Sequence, residues 1–213
     1  MKTDELAAML ATGVTPVDRH ASTRRIGVAL GVGATGALIL MQLVFGVRPD
    51  LVQMAHVPLF WEKLAFPAAL GFGALQVVAR VSTPGRRAGV AWLVAAVPVA
   101  VVWLCAAAMI AGAPPSDRLS LVLGQTWRVC AVSIALLSVP AFIALQVAVR
   151  GLAPTAPRVA GAAAGLLAGA IATTAYSLHC PEMSVAFWAI WYVLGMTIPL
   201  AVGALWGPRL LRW

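Results

Sequence analysis

The sequence predicts an all-α, polytopic membrane bundle: six transmembrane helices with a short amphipathic N-terminal helix on the cytoplasmic side. Three observations predict it. Of 213 residues, 62% are hydrophobic and only 10% charged, with a mean hydropathy of +0.93, whereas a soluble domain carries about 25% charged residues to keep its surface hydrated. The apolar residues gather into six stretches that meet or approach the roughly 20 residues a helix needs to cross a hydrocarbon core of about 30 Å. No Asp, Glu, Lys or Arg interrupts their centres. Backbone polar groups in lipid must be satisfied within the segment, which makes the stretches helices. Runs of consecutive Ala, Val, Leu and Gly do not suit the alternation of barrel strands. Three cysteines are too few for a secreted disulfide scaffold, and the apolar content excludes a disordered chain.

Taken in order, residues 1–25 read as a cytoplasmic tail. Thr3 is placed to cap a helix starting at Asp4, and Asp4 with Glu5 put negative charge at its positive end. Leu6, Met9 and Leu10 fall at i, i+3 and i+4 and form one apolar stripe, with Gly13 and Pro16 as the stop. A helix of about ten residues is marginal alone in water. The stripe therefore needs a groove, on the bundle and lipid surface or on a partner protein. Acidic residues ahead of the first apolar run do not suit a signal peptide. A transmembrane domain covers 26–207, with spans at about 26–47, 60–81, 88–112, 129–149, 159–178 and 183–207, and 208–213 form a cytoplasmic C-terminal end. The connections are too short to hold a folded soluble domain.

Charge sets the orientation. With the N-terminus in the cytoplasm, Lys2, Arg19, Arg24, Arg25, Arg80, Arg86, Arg87, Arg150, Arg158, Arg209 and Arg212 lie inside, and only Arg48, Lys63, Arg118 and Arg128 lie outside. That asymmetry places both termini in the cytoplasm of a bacterium. The pI of 10.7 is then a topology signal with a role for anionic lipid heads, and nucleic acid need not be invoked.

The helices carry packing signals and little catalytic chemistry. Gly161, Gly165 and Gly169 make overlapping small-xxx-small registers in the fifth span, and Gly27 with Gly31 repeat the device in the first. Such faces serve packing within the chain or a homodimer. Pro98, Pro140 and Pro199 each remove a backbone bond in mid-span. Ion-coupled transporters keep ionisable side chains inside their spans; here the buried polar groups are Gln42, Gln76, Gln146, some Ser and Thr, and Tyr176. No catalytic set is legible. A small-solute facilitator or a membrane thiol-redox protein is the alternative class.

Two of the three cysteines stand out. Cys105, within WLCAAAM, is expected as a small buried hydrophobe. Cys130 falls in the first turn of the fourth span, and Cys180 in the turn His179-Cys180-Pro181-Glu182 between the fifth and sixth. The topology brings both to one depth, on the side where disulfides persist. A redox-active or soft-metal-binding pair, a static disulfide and two unrelated thiols are all open readings. His179 and Glu182 flank Cys180, with His56 on the same side; with two thiolates they suit a soft metal, although the spacing matches no standard zinc motif.

The stretches MKTDELAAMLATGVTPVDR, TWRVC around Cys130, LHCPEMSVAFWAIWYVLGM and the terminal GPRLLRW together resemble, from end to end, the NrsF-type negative regulators of sigma-F. The resemblance implies a six-span inner-membrane anti-sigma factor that holds an extracytoplasmic-function sigma factor away from RNA polymerase and releases it on a signal. It implies that Cys130 and Cys180 sense heavy-metal or oxidative stress, with His179 and Glu182 beside them. A transient heavy-metal ion at the cysteine pair is then the one ligand expected, with no resident cofactor. Sigma binding falls on the tail, through Leu6, Met9 and Leu10, with Asp4 and Glu5 for basic groups on the partner. Sigma factor and bilayer are the implied partners, without direct contact to nucleic acid.

The HxxxCxxC of zinc-containing anti-sigma domains is absent, so the grip uses another mode. Three buried apolar side chains give about 1.5–3 kcal/mol each, ordering the helix costs part of that, and micromolar binding needs about 8 kcal/mol. The tail alone is expected to bind weakly, with Arg86, Arg87 or other cytoplasmic loop residues sharing the load.

Overall fold

The computed structural model describes residues 3–12, 20–83 and 85–212. Lys2, Asp18 and Arg19, and the helix stops Gly13 and Pro16, lie outside them. Among the described residues there is no strand. The helices are α1 (Thr3–Ala11), α2 (Ala21–Val44), α3 (Leu51–Met54), α4 (Pro58–Val81), α5 (Ala91–Gly112), α6 (Pro115–Leu123), α7 (Trp127–Arg150), α8 (Pro157–Tyr176), α9 (Val185–Phe187), a π turn (Trp188–Tyr192) and α10 (Val193–Leu210). Six stretches are long and apolar enough to cross a membrane: α2, α4, α5, the run from α6 to α7, α8 and the continuous run from α9 to α10. Pro58, Pro115 and Pro157 open α4, α6 and α8, where the missing N–H costs nothing and φ is already helical.

The spans run up and down, which leaves the bundle with two distinct ends. One gathers the start of α2 and the ends of α7 and α10. The other gathers the end of α2, the starts of α4 and α7, and the turn from α8 to α9. Helix α8 is the core, with most of its side chains buried and α2, α4, α7 and α10 around it. Its glycines allow backbones to touch. A Cβ at Gly161 would overlap the carbonyl oxygen of Gly203, one at Gly165 that of Pro199, and one at Gly169 would lie 2.9 Å from Met196 Cα. This stripe is used inside one chain.

Three details correct the sequence reading. In α2 the packing register is Ile26, Ala29, Gly33, Ala37 and Met41, not Gly27 and Gly31, at which an added Cβ meets nothing within 4 Å. Gly33 instead packs on Ala141, and Gly36 on the Pro140 ring. Helix α2 also starts at Ala21, so that Arg24 and Arg25 lie on the spanning helix, Arg25 donating from Nη1 to the Gly151 carbonyl at 2.6 Å. Finally, Cys105 is exposed on the outer face of α5. That helix is apolar all round and buries only Ala91, Ala95, Val102 and Ala106; the residue after Cys105 takes the inward position.

Candidate functional site

The end of the bundle away from α1 is organised around the turn from His179 to Glu182. Helix α8 closes when the Cys180 N–H donates to the Tyr176 carbonyl at 2.9 Å. The Cys180 carbonyl then accepts from Lys63 Nζ of α4 at 2.5 Å and from Arg48 Nη1 at 3.4 Å. Arg48 also gives its backbone N–H to Leu178 at 3.3 Å. Its guanidinium forks onto Asp50, with Nε to Oδ1 at 2.6 Å and Nη2 to Oδ2 at 2.7 Å. The carboxylate raises the guanidinium above its ordinary value, and the guanidinium holds Asp50 below the usual carboxylate range.

Glu182 ties the turn to α7. Its Oε1 accepts from the N–H groups of Gln125 and Thr126 at 2.6 and 3.0 Å, and from Thr126 Oγ1 at 3.2 Å. This fixes negative charge at the positive end of the helix that carries Cys130 in its first turn. Gly124 makes room: its φ is +55°, and a Cβ there would lie 2.6 Å from Glu182 Oε2. His179 points elsewhere. Its Nδ1 lies 3.0 Å from the Gly46 carbonyl and so carries the proton there, while its ring sits 5.3 Å from Phe45 and 5.8 Å from Tyr176. Beyond the turn, Trp188 Nε1 donates to the Glu182 carbonyl at 3.1 Å and Ser184 Oγ to that of Leu121 at 2.8 Å. The π turn leaves the Ala189 carbonyl to accept from Trp103 Nε1 at 2.8 Å.

Inside this ring of ties lie the two sulfurs. Cys130 and Cys180 are free thiols, each wholly buried, within electrostatic reach of one another. The Tyr176 hydroxyl meets Cys130 and Ser133. The Tyr192 hydroxyl sits beside Ser177 and Cys180, buried and without a hydrogen-bond partner among the described residues. The structure therefore brings Cys130, Cys180 and Glu182 together and turns His179 away. Among the described residues no group of three or more His, Cys, Asp or Glu side chains is arranged to hold a metal ion.

Sequence reasoning puts Lys63 at the outer margin of the second span, just ahead of its charge-free centre. It is instead wholly buried within α4. The signal for this is present: Phe60, Lys63, Pro67, Leu70 and Ala74 recur at three and four residues, one inward stripe with a lysine in it. Tyr192 is likewise passed over. The tail residues lie at the opposite end. Asp4, Glu5, Leu6, Met9 and Leu10 all sit on α1, and α1 buries none of its residues.

Six apolar spans and a tied thiol site at one end define a multi-pass membrane protein. The chain belongs to the NrsF family, negative regulator of sigma F, whose model matches residues 10–213. It is 46% identical over 215 residues to the "Probable anti-sigma-F factor NrsF" of Azospira oryzae, and 37% identical over 217 residues to the "Anti-sigma-F factor NrsF" of Caulobacter vibrioides; each match covers 100% of both chains. No solved structure gives a significant match.

Proposed function

We propose that this negative regulator is anchored in the bacterial inner membrane with both termini in the cytoplasm. There it sequesters an extracytoplasmic-function sigma factor and releases it when a metal or redox stress reaches Cys130 and Cys180 from the envelope side. The observation that carries the proposal is α1: Leu6, Met9 and Leu10 are 39%, 64% and 69% exposed on one stripe, preceded by Asp4 and Glu5. Such a stripe fits a groove on the sigma factor, and the two carboxylates suit basic groups at its rim.

The signal has a material route. Cys130 sits at one end of α7, and at the other end the Gly151 carbonyl, just past Arg150, receives Arg25 of α2. Between those points α2 packs on α7 through Gly33 against Ala141 and Gly36 against Pro140. Oxidation of the two thiols to a disulfide passes two electrons and two protons to a peroxide, which leaves as water. A soft metal ion would instead bridge the two sulfurs after displacing their protons. Either event draws the start of α7 towards the turn at Cys180, and α2 moves with α7 at the end that leads to the tail.

Co-purification in detergent with the candidate sigma factor tests the output end. The full chain is expected to retain the factor and a chain lacking residues 1–22 to lose it; equal retention would overturn the role of α1. A Cys130→Ser, Cys180→Ser double variant tests the input end. It is expected to abolish induction of a sigma-dependent reporter by cadmium, chromate or oxidant, and unchanged induction would remove the sensor role.

A further inference from the structure

Lys63 is a group of the thiol site that neither fold nor family membership accounts for. A lysine at membrane depth is expensive, and such residues persist where they serve a site. This one has no exposed surface at all. Its ammonium offers three donors, and the hydrogen bond it makes goes to a neutral acceptor, the Cys180 carbonyl, at 2.5 Å. Among the described residues no carboxylate lies at ion-pair distance from it. Asp50 is forked by Arg48, and the Glu182 carboxylate is engaged at the start of α7. The groups that face Lys63 electrostatically are Cys180, Cys130, Arg48 and Glu182. A buried lysine thus holds the residue that bears one of the two buried sulfurs, and no carboxylate among the described residues pairs with it.

We infer that Lys63 is the positioning residue of the thiol site: it clamps the Cys180 turn above Cys130 and supplies the positive charge that stabilises a thiolate as it reacts. The inference rests on the reading of these cysteines as the sensing pair and names the group that makes them responsive. Reaction of a thiol, whether with an oxidant or a soft metal, proceeds through the anion. Charge accumulates on sulfur in a medium of low dielectric, where a neighbouring cation counts for far more than in water. The carbonyl clamp adds geometry, because it fixes the residue that bears the sulfur.

The test uses the full chain in nanodiscs and the labelling rate of Cys130 and Cys180 with N-ethylmaleimide, read by mass spectrometry with Cys105 as the internal control. Three variants separate the two parts of the role. Lys63→Met removes donor and charge, Lys63→Gln keeps a donor without the charge, and Lys63→Arg keeps the charge. Met and Gln are expected to slow both thiols at least about tenfold, a modest effect for a unit charge nearby, with Cys105 unchanged and Arg within about threefold of the parent.

A second readout answers the objection that any core variant perturbs the site. The ratio of rates for an anionic and a cationic methanethiosulfonate cancels differences in opening, and it should fall in Lys63→Gln but not in Lys63→Arg. If Lys63→Met fails to insert, the comparison of Gln with Arg decides alone. Parent-like rates and an unchanged ratio in Lys63→Gln would overturn the inference, as would equal slowing in Gln and Arg. Failure of the sensor reading is distinguishable: there the reporter stays inducible in the double serine variant while the thiol rates still depend on Lys63.

Discussion

The two ends of this bundle are built on opposite plans. Around Cys180 nearly every polar group is spoken for, its carbonyl by Lys63 and Arg48 and its neighbours Glu182 and His179 by Gln125, Thr126 and Gly46. At the other end α1 buries nothing and holds an apolar stripe outward. The difference is the one that the proposed roles require of each end. A site that must convert a change of one bond into movement has to be stiff, because slack would absorb it. A surface that must capture a partner has to be incomplete, because a satisfied surface has nothing left to bind.

The largest expected effect breaks this contrast at the open end. Replacing Leu6, Met9 and Leu10 together with Ala removes contacts worth about 1.5–3 kcal/mol each when buried. It should weaken retention of the sigma factor at least about 100-fold, as read by titration in detergent. The fold should not notice: substitutions at exposed positions stay within about 0.5 kcal/mol, so the thermal midpoint is expected to hold. A midpoint that fell with the affinity would mean that α1 packs on the bundle and that the contrast is false. A peptide of residues 1–22 sharpens the same point. It should bind more weakly than micromolar, and nanomolar binding would leave Arg86 and Arg87 with no share.

At the closed end the effects are smaller and run the other way, with stability changing while affinity for the sigma factor in the resting state does not. Gly124→Ala forces a side chain onto a backbone at φ +55° and into the Glu182 carboxylate and the Phe187 ring. A cost of about 1–3 kcal/mol is expected in thermal unfolding. Glu182→Gln keeps an acceptor oxygen but removes the charge from the start of α7, which should cost about 0.5–2 kcal/mol and loosen Cys130. Faster maleimide labelling of Cys130 relative to Cys105 would register that loosening. If Gly124→Ala and Glu182→Gln both leave midpoint and labelling unchanged, the turn is not a stiff unit.

Sequence makes one of these ends more legible than the other. The stripe on α1 follows from spacing alone, since Leu6, Met9 and Leu10 need only a helix to share a face. The six spans follow from composition for the same reason: lipid leaves the backbone one solution. The thiol site needs the third dimension. Cys130 and Cys180 are fifty residues apart, and their shared depth follows from counting spans, but nothing local states that Glu182 reaches back to Thr126 or that His179 turns to Gly46. Lys63 is the instructive miss. Its polarity suggests an edge, and a charged residue reads as a boundary of the span, although its spacing from Phe60 and Leu70 places it on the buried face. Gly27 and Gly31 mislead in the reverse sense, because small residues permit close packing without requiring it, and α2 packs through Gly33 and Gly36 instead.

The smallest effect concerns the Arg48–Asp50 fork, which stiffens the closed end from outside the membrane. The guanidinium lowers the Asp50 value, so the folded state binds that proton less readily than the unfolded chain. Stability from the pair is therefore fully present above the ordinary carboxyl value of about 4 and is lost as pH falls through the lower folded value. On the guanidinium side the shift is upward from an already high value, and it has no consequence at any pH the protein meets. Asp50→Asn should accordingly melt lower than the parent by a constant, small margin between about pH 5 and 8, with the margin closing below about pH 4. The amide of the variant has no charge to lose, so only the parent changes. A margin that showed no narrowing at all as pH falls from about 4 would show that the fork acts through shape alone, leaving the hold on the Cys180 carbonyl to Lys63.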